Sequence, residues 1–230
     1  MAMKHAGKAM RAALRLLYWT LFFSIALPLL GVLVRDLGEL LMAFSLGLFG
    51  LWAVFGLFCL YFFRDPNPVV PPAPELIVSP AHGTVDVIEE TEGPDFMGGR
   101  CRRISIFLSV FDVHVQRSPL AGTVRLCQHT SGQFLNAMRT DSATFNENVL
   151  FSFDSSERPG EKIGVRLIAG LIARRIVPWT KPGDQVGRGE RISLIQFGSR
   201  VDLYLPLNTR VNVQLRDRVK GGETIMATRV

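Results

Sequence analysis

The sequence has few of the residues that bind metals or build disulfide frameworks. It contains 3 cysteines and 4 histidines in 230 residues. Cys59, Cys101 and Cys127 show neither a CxxC pair nor the spacing of zinc ligands, so we expect no metal site and no disulfide framework. Reduced thiols of this kind are typical of a domain that faces the cytoplasm.

Acidic residues are missing from the start of the chain. The first is Asp36, whereas Lys4, Lys8, Arg11 and Arg15 precede it. A basic start that leads into an apolar run favours an anionic membrane surface. The net charge of +6 includes no basic stretch interleaved with aromatic residues, so a nucleic-acid partner is not expected.

Two long runs contain no charged residue: residues 16–34, a run of 19, and residues 40–63, a run of 24. About 20 helical residues cross the hydrocarbon core of a bilayer, so both runs predict transmembrane helices. The short link at 35–39 predicts an antiparallel hairpin. Lys and Arg at the outer ends place both ends on the cytoplasmic side of the cell membrane. A buried soluble hairpin is the alternative, but the runs have almost no polar face.

The rest of the chain has a different pattern. Residues 1–64 form the predicted anchor, residues 65–74 a Pro-rich, extended linker, and residues 75–230 a β-rich domain. Short alternating runs punctuated by Gly and Pro predict a mainly β fold, a flattened β-sandwich or barrel. Strands are expected at 76–78, 84–89, 103–108, 122–129, 148–153, 162–169, 174–177, 192–197, 200–205 and 210–215, with a helical turn at 169–175 as an alternative.

Two turn segments of this domain resemble each other and the turns of lipoyl- and biotinyl-carrier domains. Residues 181–190 contain G-D-x-V-x-x-G-E, and residues 217–224 read D-x-V-x-G-G-E-T. Glycine supplies positive φ in such turns. The modifiable Lys of the carriers is missing, so a carrier function is not expected, but the turns support a flattened β-sandwich.

Few side chains in this domain can carry chemistry. The bond between Gly198 and Ser199 lies between two apolar β-like runs, 31 residues before the C-terminus. The Ser199 hydroxyl can add to the carbonyl of Gly198, which has no side chain to obstruct it. His82 and His114 lie in turn-flanked segments and are candidate acids or bases, although a lone histidine is more often structural. His129 has little context and is expected to be structural.

Several stretches, in order along nearly the whole chain, resemble the short, membrane-associated form of the phosphatidylserine decarboxylase family. They are Phe62-Phe63-Arg64-Asp65-Pro66, Ser79-Pro80-Ala81-His82-Gly83-Thr84-Val85, Ile106-Phe107-Leu108-Ser109-Val110-Phe111-Asp112-Val113-His114-Val115, Arg117-Ser118-Pro119-Leu120-Ala121-Gly122, Gln133-Phe134-Leu135, Ile168-Ala169-Gly170-Leu171-Ile172-Ala173-Arg174-Arg175-Ile176 and Ile195-Gln196-Phe197-Gly198-Ser199-Arg200-Val201-Asp202-Leu203-Tyr204-Leu205-Pro206.

This resemblance implies a self-processing lyase that decarboxylates phosphatidylserine to phosphatidylethanolamine at the membrane surface. Cleavage between Gly198 and Ser199 would give a β chain of residues 1–198 and an α chain of residues 199–230. The first residue of the α chain would become a pyruvoyl cofactor, whose ketone is an electron sink as CO2 leaves. The implied partners are phosphatidylserine in the bilayer, the two cleaved chains for each other, and a second copy, since the family is often dimeric.

The resemblance also implies roles for single residues. His114 matches the family histidine of the decarboxylation step and would handle the proton. Longer members activate the cleaving serine with an Asp and a second His, and those positions are His82 and Arg117 here. Arg117 cannot be a base because its pKa exceeds about 12, but it can anchor the lipid phosphate or carboxylate. His82 can act as a base, with Asp112 as a candidate partner.

A second interpretation is a non-catalytic, membrane-anchored β-sandwich that binds a lipid or a protein partner. The His82 and Arg117 departures from the family pattern favour it. The sequence leaves open which group activates Ser199.

Overall fold

The chain folds as a helical unit and a β unit. The computed structural model describes residues 8–33, 38–132, 146–170, 175–196 and 199–230. One compact unit is Gly7–Asp65, and the other contains Pro66–Val230. The predicted mainly β fold behind two N-terminal apolar helices is confirmed.

The helical unit is a hairpin of two apolar helices, α1 (Lys8–Leu33) and α2 (Gly38–Phe62). Both are long and apolar enough to cross a membrane, judged by length and composition. Trp52 of α2 donates a hydrogen bond from Nε1 to Thr20 Oγ1 of α1 at 2.5 Å. Such a bond between polar side chains joins two otherwise apolar helices.

The β unit contains fourteen strands among its described residues. In chain order they are β1 (Leu76–Val78), β2 (Gly83–Glu92), β3 (Arg100–Leu108), β4 (Val115–Arg117), β5 (Gly122–Thr130), β6 (Asn148–Ser155), β7 (Lys162–Ala169), β8 (Arg175–Pro178), β9 (Gln185–Val186), β10 (Arg191–Gln196), β11 (Ser199–Leu205), β12 (Thr209–Val211), β13 (Arg218–Val219) and β14 (Ile225–Arg229), with a 3-10 helix at Asp95–Met97.

Eight strands form one antiparallel sheet in the order β13-β2-β3-β11-β7-β6-β5-β9. The sheet curls into a half-barrel. Two three-stranded sheets, β1-β14-β12 and β4-β10-β8, complete the unit. Strand β11 therefore has four strands on one side of it and three on the other in the large sheet.

Some strand predictions need correction. The strand expected at 210–215 is β12 and ends at Val211, because Gln214 begins a turn in which its N–H donates to Asp217 Oδ2 at 2.7 Å. Strands β4, β9, β13 and β14 were not predicted; β9 and β13 have two residues each, too few to show alternation. The helical turn proposed for 169–175 falls mostly on residues 171–174, outside the described residues.

Strand β11 is buried on both faces. Val201, Leu203 and Leu205 belong to the hydrophobic core. On the other face, Asp202 is fully buried and accepts a hydrogen bond from Ser105 Oγ at 2.6 Å. Burial raises the pKa of the Asp202 carboxyl. A one-residue shift of β11 would exchange its apolar and polar faces, so this pattern fixes the register of the strand.

The β unit contains an internal repeat. Residues 79–85 and 118–124 both read Ser-Pro-x-x-Gly-Thr-Val and lead into β2 and β5. Each copy pairs with one of the two turn segments: Gly83 lies opposite Val219, and Gly122 lies opposite Val186. The turn segments that resemble each other in sequence therefore occupy equivalent places.

The two copies of the repeat also bind each other reciprocally. Val78 N–H donates to the Pro119 carbonyl at 3.0 Å, and Arg117 N–H donates to the Pro80 carbonyl at 2.8 Å. Each donor immediately precedes one copy, and each acceptor is the proline of the other. The β unit thus has an approximate two-fold symmetry about this pair of bonds.

The Pro-rich segment after residue 65 packs on the β unit through buried arginines. Arg117, which is fully buried, donates from Nη2 to the Pro66 carbonyl at 2.6 Å. Arg188 donates from Nη1 to the carbonyls of Pro71 and Ala73, at 2.9 and 2.5 Å. Two further contacts join Arg191 to the Asn67 side chain and Arg229 to the Pro74 carbonyl. The segment is therefore part of the β unit, because its carbonyl groups are bound at several points.

Candidate active site

Ser199 begins β11, one of the interior strands of the large sheet. It pairs with Leu108, the last residue of β3, and with Ala169, the last residue of β7. Ser199 is fully buried, and its Oγ has no hydrogen-bond partner among the described residues. A buried hydroxyl without a partner is costly and rare. The Ser199 hydroxyl can therefore react without breaking a hydrogen bond to another described residue.

His114 is fully buried in the connection between β3 and β4. Its Nδ1 lies 2.9 Å from the carbonyl oxygen of Asp112. A carbonyl oxygen can only accept, so Nδ1 carries the hydrogen, and the neutral ring has its lone pair on Nε2. His114 thus has the tautomer of a base that acts through Nε2.

The backbone joins His114 to the strand that leads to Ser199. Ile195 N–H of β10 donates to the His114 carbonyl at 3.1 Å. Four residues of chain reach at most about 14 Å, so covalent geometry keeps Ser199 within that distance of Ile195. His114 therefore lies beside the strand that leads to Ser199.

Asp112 is nearly buried and fully engaged. Its Oδ2 accepts from the N–H and the hydroxyl of Ser109, both at 2.9 Å, and its Oδ1 accepts from Arg218 Nη2 at 2.5 Å. Burial by itself raises the pKa of Asp112, but the hydrogen bonds from Arg218 and Ser109 together lower it below its usual range. Asp112 is therefore a carboxylate that binds the backbone and side chain of Ser109 within its own loop.

His82 immediately precedes β2 and is half-buried. Gly221 N–H donates to its Nδ1 at 3.1 Å. An N–H can only donate, so Nδ1 is the acceptor, and the neutral ring carries its hydrogen on Nε2. His82 and His114 therefore hold opposite tautomers, and the lone pair of His82 is occupied in this arrangement.

Arg117 is the last residue of β4 and is fully buried. Besides the Pro66 carbonyl it contacts the Gly189 carbonyl, with Nη1 to oxygen at 3.1 Å. Arg117, which was predicted to bind the lipid phosphate or carboxylate, thus donates hydrogen bonds to two backbone carbonyls instead.

The predicted residues do not form one contact network among the described residues. Asp112 and His114 share a loop, whereas His82 contacts the segment between β13 and β14 through Gly221. Gly198 lies outside the described residues. Ser109 and Arg218, which bind the Asp112 carboxylate, were not predicted as site residues. The turn motif at 217–224 predicted a turn at Arg218 but not its contact with Asp112.

Metal ligands are not grouped in the described part of the chain: no three His, Cys, Asp or Glu side chains come together there. The cysteines are spread accordingly. Cys101 is buried at the start of β3, and Cys127 is half-buried in β5. Burial raises the pKa of both thiols, which favours their neutral form.

A buried serine at the start of a central strand, a fully buried histidine and two apolar helices earlier in the chain place the protein among mainly β proteins with a membrane-type anchor. Comparison with known proteins makes this specific. The family model described as phosphatidylserine decarboxylase matches residues 55–227.

Curated relatives match over most of the chain. A phosphatidylserine decarboxylase proenzyme of Desulfotalea psychrophila is 48% identical over 169 residues, which is 74% of this chain and 78% of the relative. The proenzyme of Symbiobacterium thermophilum is 42% identical over 82% of this chain and 90% of its own length. That of Solibacter usitatus is 41% identical over 91% and 95%. The chain belongs to the phosphatidylserine decarboxylase family, and it is an enzyme of that family.

Proposed function

We propose that the chain is a self-processing, pyruvoyl-dependent enzyme that decarboxylates phosphatidylserine to phosphatidylethanolamine. The observation that carries this proposal is the buried Ser199 hydroxyl without a described partner, in a chain whose relatives are named proenzymes. A proenzyme requires a bond to be cleaved, and Gly198-Ser199 is the bond next to this hydroxyl.

The proposed cleavage begins with the Ser199 hydroxyl. Ser199 Oγ adds to the Gly198 carbonyl carbon, the amide C–N bond breaks, and an ester forms as the freed nitrogen takes the hydroxyl proton. A base then removes the Ser199 α-proton, a double bond forms between Cα and Cβ, and the bond between Cβ and the ester oxygen breaks, which leaves a carboxylate on Gly198 that keeps the former Oγ. One water hydrolyses the remaining unsaturated residue, releases ammonia and leaves a pyruvoyl group on residue 199.

The surroundings of Ser199 suit such a group. The residue is excluded from solvent, and the missing hydrogen-bond partner of Oγ means that no described contact is lost when the hydroxyl is consumed. When present, a pyruvoyl ketone accepts the electron pair left by CO2. The Leu108 and Ala169 pairings hold the backbone of residue 199 in place.

His114 is proposed to take up and return a proton at Nε2 during decarboxylation. The Asp112 carbonyl supports this by fixing the hydrogen on Nδ1. For His82 to activate Ser199 through Nδ1, its bond from Gly221 must first break. For Arg117 to bind the lipid phosphate or carboxylate, its guanidinium must exchange the carbonyls of Pro66 and Gly189 for the ligand.

The proposed place of action is the cytoplasmic surface of the cell membrane. Two apolar helices suit an enzyme whose substrate keeps its acyl chains in the bilayer. The excess of Lys and Arg at the N-terminus favours the cytoplasmic side. A homodimer is proposed from the family resemblance alone.

The intact mass of the purified full-length protein tests this proposal. Cleavage predicts a fragment of residues 199–230 of roughly 3.5 kDa, scaled from 25.6 kDa for 230 residues, with a blocked N-terminus. Ser199→Ala should abolish both cleavage and decarboxylation of phosphatidylserine in vesicles, because the nucleophile is gone.

Ser152→Ala is the matched control, since Ser152 is equally buried in the same sheet but on β6. It should cleave and decarboxylate normally. A wild-type chain that stays intact and leaves phosphatidylserine unchanged would refute the proposal.

A further inference from the structure

The loop between β3 and β4 is tied to a strand far along the chain. Arg218 of β13 donates from Nη2 to Asp112 Oδ1 at 2.5 Å. The same guanidinium donates from Nη1 to Thr84 Oγ1 of β2 at 3.0 Å. One side chain thus fixes this loop against the edge of the large sheet, where β13 pairs with β2.

This tie acts on the residue that orients His114. The Asp112 carbonyl accepts from His114 Nδ1 at 2.9 Å and thereby decides which ring nitrogen keeps a lone pair. Asp112 is two residues from His114, so a shift of its backbone moves the acceptor and the ring together. The contact of Arg218 with the Asp112 side chain therefore helps to hold in place the backbone carbonyl that orients the imidazole.

Arg218 is the charged group that faces the Asp112 carboxylate among the described residues; Ser109 supplies the other donors from within the loop. The Asp112 side chain is 6% exposed, while that of Arg218 is 64% exposed. The Ser109 donors stay on Asp112 when Arg218 is replaced, so what Arg218 alone supplies is the connection of this loop to β13.

We propose that Arg218 is a positioning residue for decarboxylation, which holds Asp112 so that its carbonyl keeps the hydrogen of His114 on Nδ1 and the ring in one orientation. This inference rests on the proposed function. Arg218 touches neither Ser199 nor His114 in the described contacts, so it acts through Asp112. After cleavage it would lie on the α chain, and the α chain would then orient the histidine of the β chain.

Arg218→Gln in the full-length protein, reconstituted in nanodiscs that contain phosphatidylserine, tests this proposal. Without the hydrogen bond from Arg218 to Asp112, the loop between β3 and β4 is held less firmly. Misplacement of a catalytic group by about 1 Å lowers the reaction rate by up to about 100-fold. We expect kcat to fall roughly 10- to 100-fold. KM and the extent of self-cleavage should stay close to the wild-type values, whereas the melting temperature should fall, because the nearly buried Asp112 carboxylate loses its charged partner. Arg218→Lys should recover part of kcat, because it keeps a donor and a charge.

Arg216→Gln is the matched control: Arg216 lies in the same segment, is exposed and has no ion pair in the described part of the chain. It should behave as wild type, while His114→Ala gives the lowest activity expected.

A wild-type kcat in Arg218→Gln would overturn the inference, as would a loss of kcat that Arg218→Lys does not relieve at all. If Arg218→Gln does not fold, Arg218→Lys with wild-type kcat and KM supports the inference, and Arg218→Lys with the His114→Ala rate overturns it. Absence of decarboxylation in the wild type itself would refute the proposed function rather than this inference.

Discussion

Two glycines at the starts of β2 and β5 are packed against backbone. A Cβ on Gly83 would lie 2.2 Å from the Phe107 carbonyl oxygen, and one on Gly122 would lie 2.1 Å from the Asp154 carbonyl oxygen. Backbone atoms in paired strands cannot move away without breaking the ladder. Glycine is therefore needed at both positions for close approach of the strands.

Gly83→Ala and Gly122→Ala should each lower the free energy of unfolding by about 1–3 kcal/mol, the usual cost of overpacking. Gly187→Ala is the control, because its Cβ would meet only the Glu190 Oε2 at 3.6 Å. Melting temperatures in detergent measure the difference. Equal melting temperatures for all three variants would show that the strands separate more easily than their pairing indicates.

The two histidines show how far residues could be predicted from the sequence. The motifs around His82 and His114 identified both as candidates. Their tautomers depend on Gly221 and on the Asp112 carbonyl, and neither partner is recognisable from a spacing rule. The residue type was predictable from the motifs, whereas the backbone group that sets each tautomer was not.

At the level of elements, the arginine contacts give the Pro-rich segment a fixed course. Arg117 contributes most directly, because it is fully buried and binds the Pro66 and Gly189 carbonyls. Composition predicted an extended, semi-rigid linker but not its attachment, since the arginines come from β4 and from later parts of the chain. Long alternating strands such as β7 were predicted to the residue, and the two-residue strands were missed because pairing alone defines them.

Arg117→Met should lower the free energy of unfolding by about 1–3 kcal/mol, because it leaves the Pro66 carbonyl and the buried Gly189 carbonyl without their donors. Arg125→Met is the control: Arg125 forms an exposed pair with Asp154, so less than about 1 kcal/mol is expected. Melting in detergent and KM should be measured together. A raised KM with unchanged stability would contradict the linker role and favour the lipid-binding role of Arg117.

At the level of the whole molecule, residues 199–230 contribute strands to two sheets. Strand β11 lies between β3 and β7, β13 pairs with β2, and β14 pairs with β1. A break before β11 leaves all of these ladders intact. The small chain would therefore be held by the same contacts that hold it in the precursor.

After cleavage, the fragment of residues 199–230 should co-elute with the large chain in detergent and separate only on denaturation. Arg200 strengthens this attachment through two hydrogen bonds to Asp86, at 3.0 and 2.5 Å. Native size-exclusion chromatography followed by a denaturing gel provides the measurement, with uncleaved Ser199→Ala as the reference. Loss of the small fragment from the native peak would contradict this prediction.

The reciprocal bonds between the two Ser-Pro-x-x-Gly-Thr-Val copies have a consequence for the history of the fold. Reciprocal hydrogen bonds, in which equivalent donors of each copy bind equivalent acceptors of the other, are the pattern of a two-fold symmetric dimer. Duplication and fusion of a half-length ancestor would produce such a β unit, with both halves at first alike. The two halves differ where one copy has His82 and the other has Ala121, so the chemistry that a histidine offers is present in one half alone.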